Sequence, residues 1–244
     1  MRNIQIIIAY DGTRYSGWQV QKNAVTVQAE VQKALREVTG RRTSVIGASR
    51  TDAGVHARRQ AANFRTDCAI PVENVPPAVS RLLPEDIVVL EAAEVPDGFN
   101  SRFDAKSKLY RYRIYRSPAR DPFRERYSWR VSFPLDVDIM RREASALIGE
   151  HDFRSFQASD KHERSSVRRI TRLDITERND ELFLDIEGNG FLYNMVRSIT
   201  GTLVDGGRGY LQPGSMEHII SARRREAAGP TAPAKGLFLQ KVRY

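Results

Sequence analysis

From Glu181 to Gly188 apolar and polar side chains alternate, with Leu182, Leu184 and Ile186 on one face and Phe183, Asp185 and Glu187 on the other. A period of two predicts a strand with one buried face, and Asn179-Asp180 ahead of it supplies a hairpin turn to a partner strand at 166–177. The run at 3–9, Asn-Ile-Gln-Ile-Ile-Ile-Ala, reads as another strand, followed by a Gly-rich turn from Asp11 to Gly17. Over 26–38 the spacing changes: Val27, Val31, Ala34, Leu35 and Val38 share one helical face, and Thr26 is placed to cap it. Strands at 43–48 and 58–66, a helix at 74–82 and a strand at 86–95 complete this series. A second series holds a strand at 108–116, a helix at 136–148, the two hairpin strands, a helix at 191–205 and a strand at 236–243. A short helix at 213–224 stands before that last strand.

The order βαββαβ therefore occurs twice, although the halves share no sequence repeat. It predicts an α+β fold of two tandem ferredoxin-like, RRM-like halves, 1–104 and 105–244. Each has a mixed, mainly antiparallel sheet with helices on one face.

Charge adds a partner. The chain of 244 residues carries 39 Lys+Arg against 30 Asp+Glu, a formal net charge of +9. The excess is local: residues 102–130 hold ten basic and three acidic residues, while the stretches on either side are each only +1. The same stretch contains Phe103, Tyr110, Tyr112, Tyr115, Phe123, Tyr127 and Trp129. Cations interleaved with aromatics suit looped or single-stranded RNA, where cations meet phosphates and rings stack on unpaired bases. The expected site is then an RNA-binding cleft where the open sheet faces join. The other reading is a solvated strand whose aromatics face the core.

Composition removes several classes. A single cysteine, Cys68, excludes an intramolecular disulfide and a Cys-rich zinc site. The four histidines, His56, His151, His162 and His218, fall in no zinc protease or zinc deaminase frame. No apolar run nears the ~18 residues of a membrane span, and the N-terminal run is too short for a secretion signal, so a cytoplasmic protein is expected. No Walker A motif or dinucleotide fingerprint occurs, and no cofactor and no metal are expected.

The segment Ala48-Ser-Arg50-Thr-Asp52-Ala-Gly54-Val-His56-Ala-Arg58 lies between two predicted strands. Asp52-Ala-Gly54 is a turn signal, and the flanking Arg50 and Arg58 favour an ionised Asp52. On the residues alone Asp52 reads as a turn or capping residue or as a functional carboxylate, and His56 as a packing residue. Arg50-Thr-Asp52-Ala-Gly-Val-His56-Ala resembles the catalytic motif of the tRNA pseudouridine synthase A family. Tyr10-Asp-Gly-Thr-Arg-Tyr-Ser-Gly-Trp18, Phe99-Asn-Ser-Arg102 through Tyr110, Gly190-Phe-Leu-Tyr-Asn-Met-Val-Arg197 and Thr231-Ala-Pro-Ala-Lys-Gly-Leu237 resemble further family segments in order, so the resemblance spans essentially the whole chain. Ser49, in place of the usual Gly, and the pair Tyr193-Asn194, where His is frequent, are departures.

The resemblance implies that Asp52 is the catalytic aspartate. It implies that Tyr110, Arg197 and Arg50 contact the substrate, with Arg58, Arg102, Lys108, Arg111 and Arg113 as RNA-binding cations. It also implies a cofactor-free homodimer acting on uridines 38, 39 and 40 of the tRNA anticodon stem-loop. Asp52 would attack the ribose or the uracil ring, or remove a ribose proton; the sequence does not separate these routes. Two alternatives remain: a non-catalytic RNA-binding module, and a pseudouridine synthase acting on other RNA positions. If Tyr110 faces the cleft, alternation turns Arg111 and Arg113 away from it.

Overall fold

Ile4, Ile6 and Ile8 are fully buried along the first strand, as their alternation requires. The computed structural model describes residues 1–158 and 165–244, so His162 lies outside the described residues. Contacts divide the chain into two units, Met1–Lys106 with Phe238–Tyr244, and Ser107–Leu237.

The first unit runs β1 (Arg2–Tyr10), α1 (Val27–Thr39), β2 (Val45–Gly47), β3 (His56–Thr66), α2 (Val75–Ser80) and β4 (Ile87–Val95). β1 lies antiparallel between β3 and β4, and β2 is antiparallel to β3. The order β4-β1-β3-β2 is that of a ferredoxin-like half. Along α1, Val27, Val31, Ala34 and Leu35 are buried. Thr26 holds the N-cap position, but its hydroxyl makes no cap and is buried without a hydrogen-bond partner. The carbonyls of Gly17 and Trp18 do the capping instead, accepting from the amides of Val27 and Gln28 at 3.2 and 3.0 Å.

The second unit holds β5 (Ser107–Arg116), β6 (Trp129–Val131), α3 (Val137–Ser145), β7 (Gly149–Asp152), β8 (Val167–Arg178), β9 (Glu181–Gly188), α4 (Met195–Gly207) and α5 (Ser215–Ala222). β9 lies antiparallel between β5 and β8, β7 is antiparallel to β8, and β6 runs parallel to β5. The fold class is α+β with mainly antiparallel pairing, as the alternation implies.

Three details differ from the sequence reading. β6 and β7 were not expected; at three and four residues they are too short to show a period. α4 starts at Met195 rather than at 191, because Asn194 is left-handed (φ 60°) and breaks the run. The last strand, β10 (Leu237–Arg243), read as part of the second half, pairs in parallel with β3 through Phe238 and Leu239 opposite His56 and Ala57. Among the described residues no helix is long and apolar enough to cross a membrane.

Candidate active site

Asp52 sits half-buried on the loop between β2 and β3. The loop closes on itself where the Val55 amide donates to the Asp52 carbonyl at 3.1 Å, with Gly54 at φ 76° completing the turn. Its conformation is set by the segment that follows β1. The Trp18 amide donates to the Thr51 carbonyl (3.1 Å) and the Gly54 amide to the Tyr15 carbonyl (3.3 Å). The Tyr10 hydroxyl lies 2.7 Å from the buried Thr51 hydroxyl. Segment 10–18 is itself tied down, since the Asp11 amide donates to the Asp86 carbonyl (2.9 Å) and the Tyr15 hydroxyl to the Asp86 carboxylate (2.6 Å). Burial, then the Asp86 carboxylate, raises the Tyr15 phenol above its ordinary value, so the hydroxyl stays a donor.

A side chain replaces backbone pairing where β2 peels away from β3. Gln60, fully buried on β3, donates from Nε2 to the Ser49 carbonyl at 2.7 Å and accepts the Ser49 amide at Oε1 at 3.2 Å. These are the two bonds a ladder residue would have made, delivered by a carboxamide one position before Arg50.

His56 opens β3 and is buried. Its Nδ1 accepts from the Gly12 amide at 3.1 Å and lies 3.1 Å from Asp11 Oδ1, and its ring stacks on Phe238 of β10 at 4.6 Å. Arg58 is exposed, with its guanidinium 5.8 Å from the centre of the Phe238 ring. Arg50 is exposed.

In the second unit, three segments singled out by resemblance meet. Tyr110 on β5 is buried and packs edge-on against Phe191 at 5.2 Å. Arg197, in the first turn of α4, donates from Nε to the Ala232 carbonyl (2.8 Å) and from Nη1 to Asn194 Oδ1 (2.7 Å). The strap 231–236 is fixed in turn, because the Ala232 amide donates to the Arg197 carbonyl (3.1 Å) and the Tyr112 hydroxyl to the Pro233 carbonyl (2.6 Å). Burial raises the Tyr112 phenol far above its ordinary value, against the opposing charge of Arg197. It remains neutral and a donor at any physiological pH.

Arg111 and Arg113 lie on the other face of β5. Arg111 grips Asp185 with two bonds of 2.7 Å, Arg113 meets Glu181 at 3.0 Å, and both guanidinium groups flank the Phe183 ring. Arg116 pairs with Glu177 (3.0 Å) and Arg124 with Asp180 (2.7 Å). Four arginines of the basic stretch thus meet carboxylates of β8, β9 and their turn. Charge counted along the chain overstates the local field. Arg102 lies 5.3 Å from the exposed Phe103 ring, and Lys108 is half-buried near the start of β5.

The structure thus seats Asp52, Arg50 and Arg58 on or beside one pinned loop of the first unit, and gathers Tyr110 and Arg197 with their supports in the second. The sequence singled out the candidate site residues but not their holders, Tyr10, Gln60, Asp86 and Asn194. The available signal was the motif around Tyr10–Trp18, which fits no core periodicity. Among the described residues no group of three or more His, Cys, Asp or Glu is placed to hold a metal ion.

A family model described as tRNA pseudouridine synthase matches residues 6–104 and 144–244. The chain is 48% identical over 244 residues to "tRNA pseudouridine synthase A" of Thermoanaerobacter sp. (strain X514), covering all of both chains. It is 48% identical over 243 residues to the protein of that name from Moorella thermoacetica, covering 99% of each. To that of Brevibacillus brevis it is 46% identical over 244 residues, again covering all of both chains. Among solved structures, a chain of a Cbf5-Nop10-Gar1 complex aligns at a TM-score of 0.39 and 10% identity, over 96% of this chain and 57% of that one.

Proposed function

Because the chain belongs to the tRNA pseudouridine synthase family, and isomerises uridine in tRNA, we propose that its targets are uridines 38, 39 and 40 of the anticodon stem-loop. In the reaction the N1–C1′ glycosidic bond breaks, the uracil turns, C5 bonds to C1′, and the C5 proton leaves as N1 regains one. No atom or electron enters or leaves overall. A base in or beside a stem has to leave the stack first, at a cost of a few kcal/mol that phosphate contacts offset.

In this reading Asp52 is the catalytic carboxylate, acting on the ribose or the uracil ring. Tyr110 stacks on the extruded base and its hydroxyl assists removal of the C5 proton. Arg197 and Arg50 orient carboxylate and substrate. The observation that carries the reading is the pinned loop Arg50-Thr-Asp52-Ala-Gly-Val-His56. Its backbone bonds hold a carboxylate on a rigid support, which is what a preorganised site needs. The test is a map of pseudouridine in unmodified tRNA treated with the pure protein. Modification at 38–40 is expected, and modification confined to other positions would overturn the assignment. In the same assay Tyr110→Phe is expected to bind tRNA and turn over slowly; wild-type turnover would remove the hydroxyl from the mechanism.

RNA contact is proposed for Arg58, Arg102, Lys108, Arg111 and Arg113, where Arg111 and Arg113 would exchange their ion pairs with Asp185 and Glu181 for phosphate. Replacing the first three by Ala is expected to reduce the slope of log Kd against log salt by about 2 units. Replacing Arg111 and Arg113 by Gln should change it by less than about one unit. Equal slopes for both triple and double variants would contradict this division. A cytoplasmic homodimer completes the proposal, supported by the family resemblance. Light scattering should give twice the chain mass, and a monomer at working concentration would remove the dimer.

A further inference from the structure

Asn194 stands immediately before α4 at φ 60°, ψ 4°. The left-handed region is disfavoured for an ordinary L-residue, and less so for asparagine, whose short side chain bonds locally. An asparagine at a helix start ordinarily turns its carboxamide back onto the second or third helical amide. Asn194 makes no such cap. Its Oδ1 accepts from Arg197 Nη1 at 2.7 Å instead.

The guanidinium is held from two segments. Asn194 is anchored by the bond from the Ser198 amide to its own carbonyl (2.9 Å), and the Ala232 carbonyl, which receives Arg197 Nε, belongs to the strap tied to Tyr112. A guanidinium is planar and stiff, so two fixed bonds on different N–H groups set its plane and direction. A right-handed residue at 194 would continue the helix upstream and carry its side chain elsewhere. The left-handed turn is what aims the carboxamide at residue 197.

We propose that Asn194 is a positioning residue, whose carboxamide sets the plane of the Arg197 guanidinium for its work beside the reacting nucleotide. This rests on the role proposed above for Arg197. The carboxamide and the backbone conformation are separable. Glycine adopts positive φ without strain and removes only the acceptor, whereas aspartate keeps an acceptor oxygen.

The experiment compares Asn194→Gly, Asn194→Asp, Arg197→Ala and the Gly/Ala double variant by melting temperature, tRNA Kd and kcat in single-turnover tritium release. Asn194→Gly is expected to melt at or above the wild-type temperature, bind tRNA within about threefold, and lose about 10- to 100-fold in kcat. Asn194→Asp should recover most of that loss. In the Arg197→Ala background, Asn194→Gly should cost nothing further, because the group it positions is gone. Wild-type kcat in Asn194→Gly, no recovery by Asp, or losses that multiply in the double variant would each overturn the proposal. Wild-type turnover by Arg197→Ala would overturn the role of Arg197 itself. Slow turnover by Arg197→Ala beside a fast Asn194→Gly would overturn only the positioning role.

Discussion

Asp52→Asn and Asp52→Ala are expected to abolish turnover, by roughly four orders of magnitude or more, while tRNA Kd stays within a few-fold of wild type. The geometry allows binding and chemistry to separate. The loop is held by backbone bonds, from Val55 to the Asp52 carbonyl, from Trp18 to Thr51 and from Gly54 to Tyr15, and by the Gln60 carboxamide on Ser49. These bonds do not involve the Asp52 carboxylate, so they survive its replacement. Asn preserves shape and polarity but neither attacks carbon nor accepts a proton as a carboxylate does. Tritium release from C5-labelled tRNA reads the chemistry, and filter binding reads the complex. Substantial turnover by Asp52→Ala would remove Asp52 from the chemical step. Loss of tRNA binding in proportion to turnover would make it a binding residue instead.

Much of this fold is legible in the sequence, because Ile4, Ile6 and Ile8 of β1, and Leu182, Leu184 and Ile186 of β9, recur every second residue and are buried, and α1 carries an apolar stripe. What stayed hidden depends on distant parts of the chain. Thr26 had the right identity for a cap, yet the carbonyls of Gly17 and Trp18 took the role once segment 10–18 folded against the helix start. The start of α4 differs because Phe191-Leu-Tyr-Asn reads as apolar helix, while the left-handed turn at Asn194, which aims its carboxamide at Arg197, leaves no periodic signal. The meaning of the basic stretch changed most. Arg111 and Arg113 look like RNA ligands in a charge count, but the β5–β9 register sets Arg111 opposite Asp185, and Glu181 meets Arg113. Tyr110, on the opposite side of the same strand, keeps its proposed place without them. The candidate chemistry itself was legible through the motif around Asp52, not through periodicity. A catalytic carboxylate in a turn has the same local signature as a structural one.

Gly17→Ala is expected to damage both stability and turnover, and it shows why the segment after β1 belongs to the site. Gly17 has φ 90°, and a Cβ there would lie 2.5 Å from the Thr51 carbonyl oxygen and 3.1 Å from the Asp52 carbonyl carbon. Gly12 meets the same loop from its other end, where a Cβ would lie 2.0 Å from the Val55 carbonyl oxygen. These neighbours are backbone, so relief requires the loop carrying Asp52 to move. Strain and displaced packing together should cost about 2–5 kcal/mol. A shift of about 1 Å in the carboxylate should lower kcat by about 100-fold. Gly40 separates the two effects. It also has positive φ (72°), at the end of α1, but a Cβ there meets nothing within 4 Å. Gly40→Ala should therefore lose about 1 kcal/mol and keep wild-type kcat. Denaturant melts give the stabilities, and tritium release at a temperature where each variant is folded gives kcat. If folded Gly17→Ala turned over like Gly40→Ala, segment 10–18 would be a structural neighbour of the loop and no part of what aims Asp52.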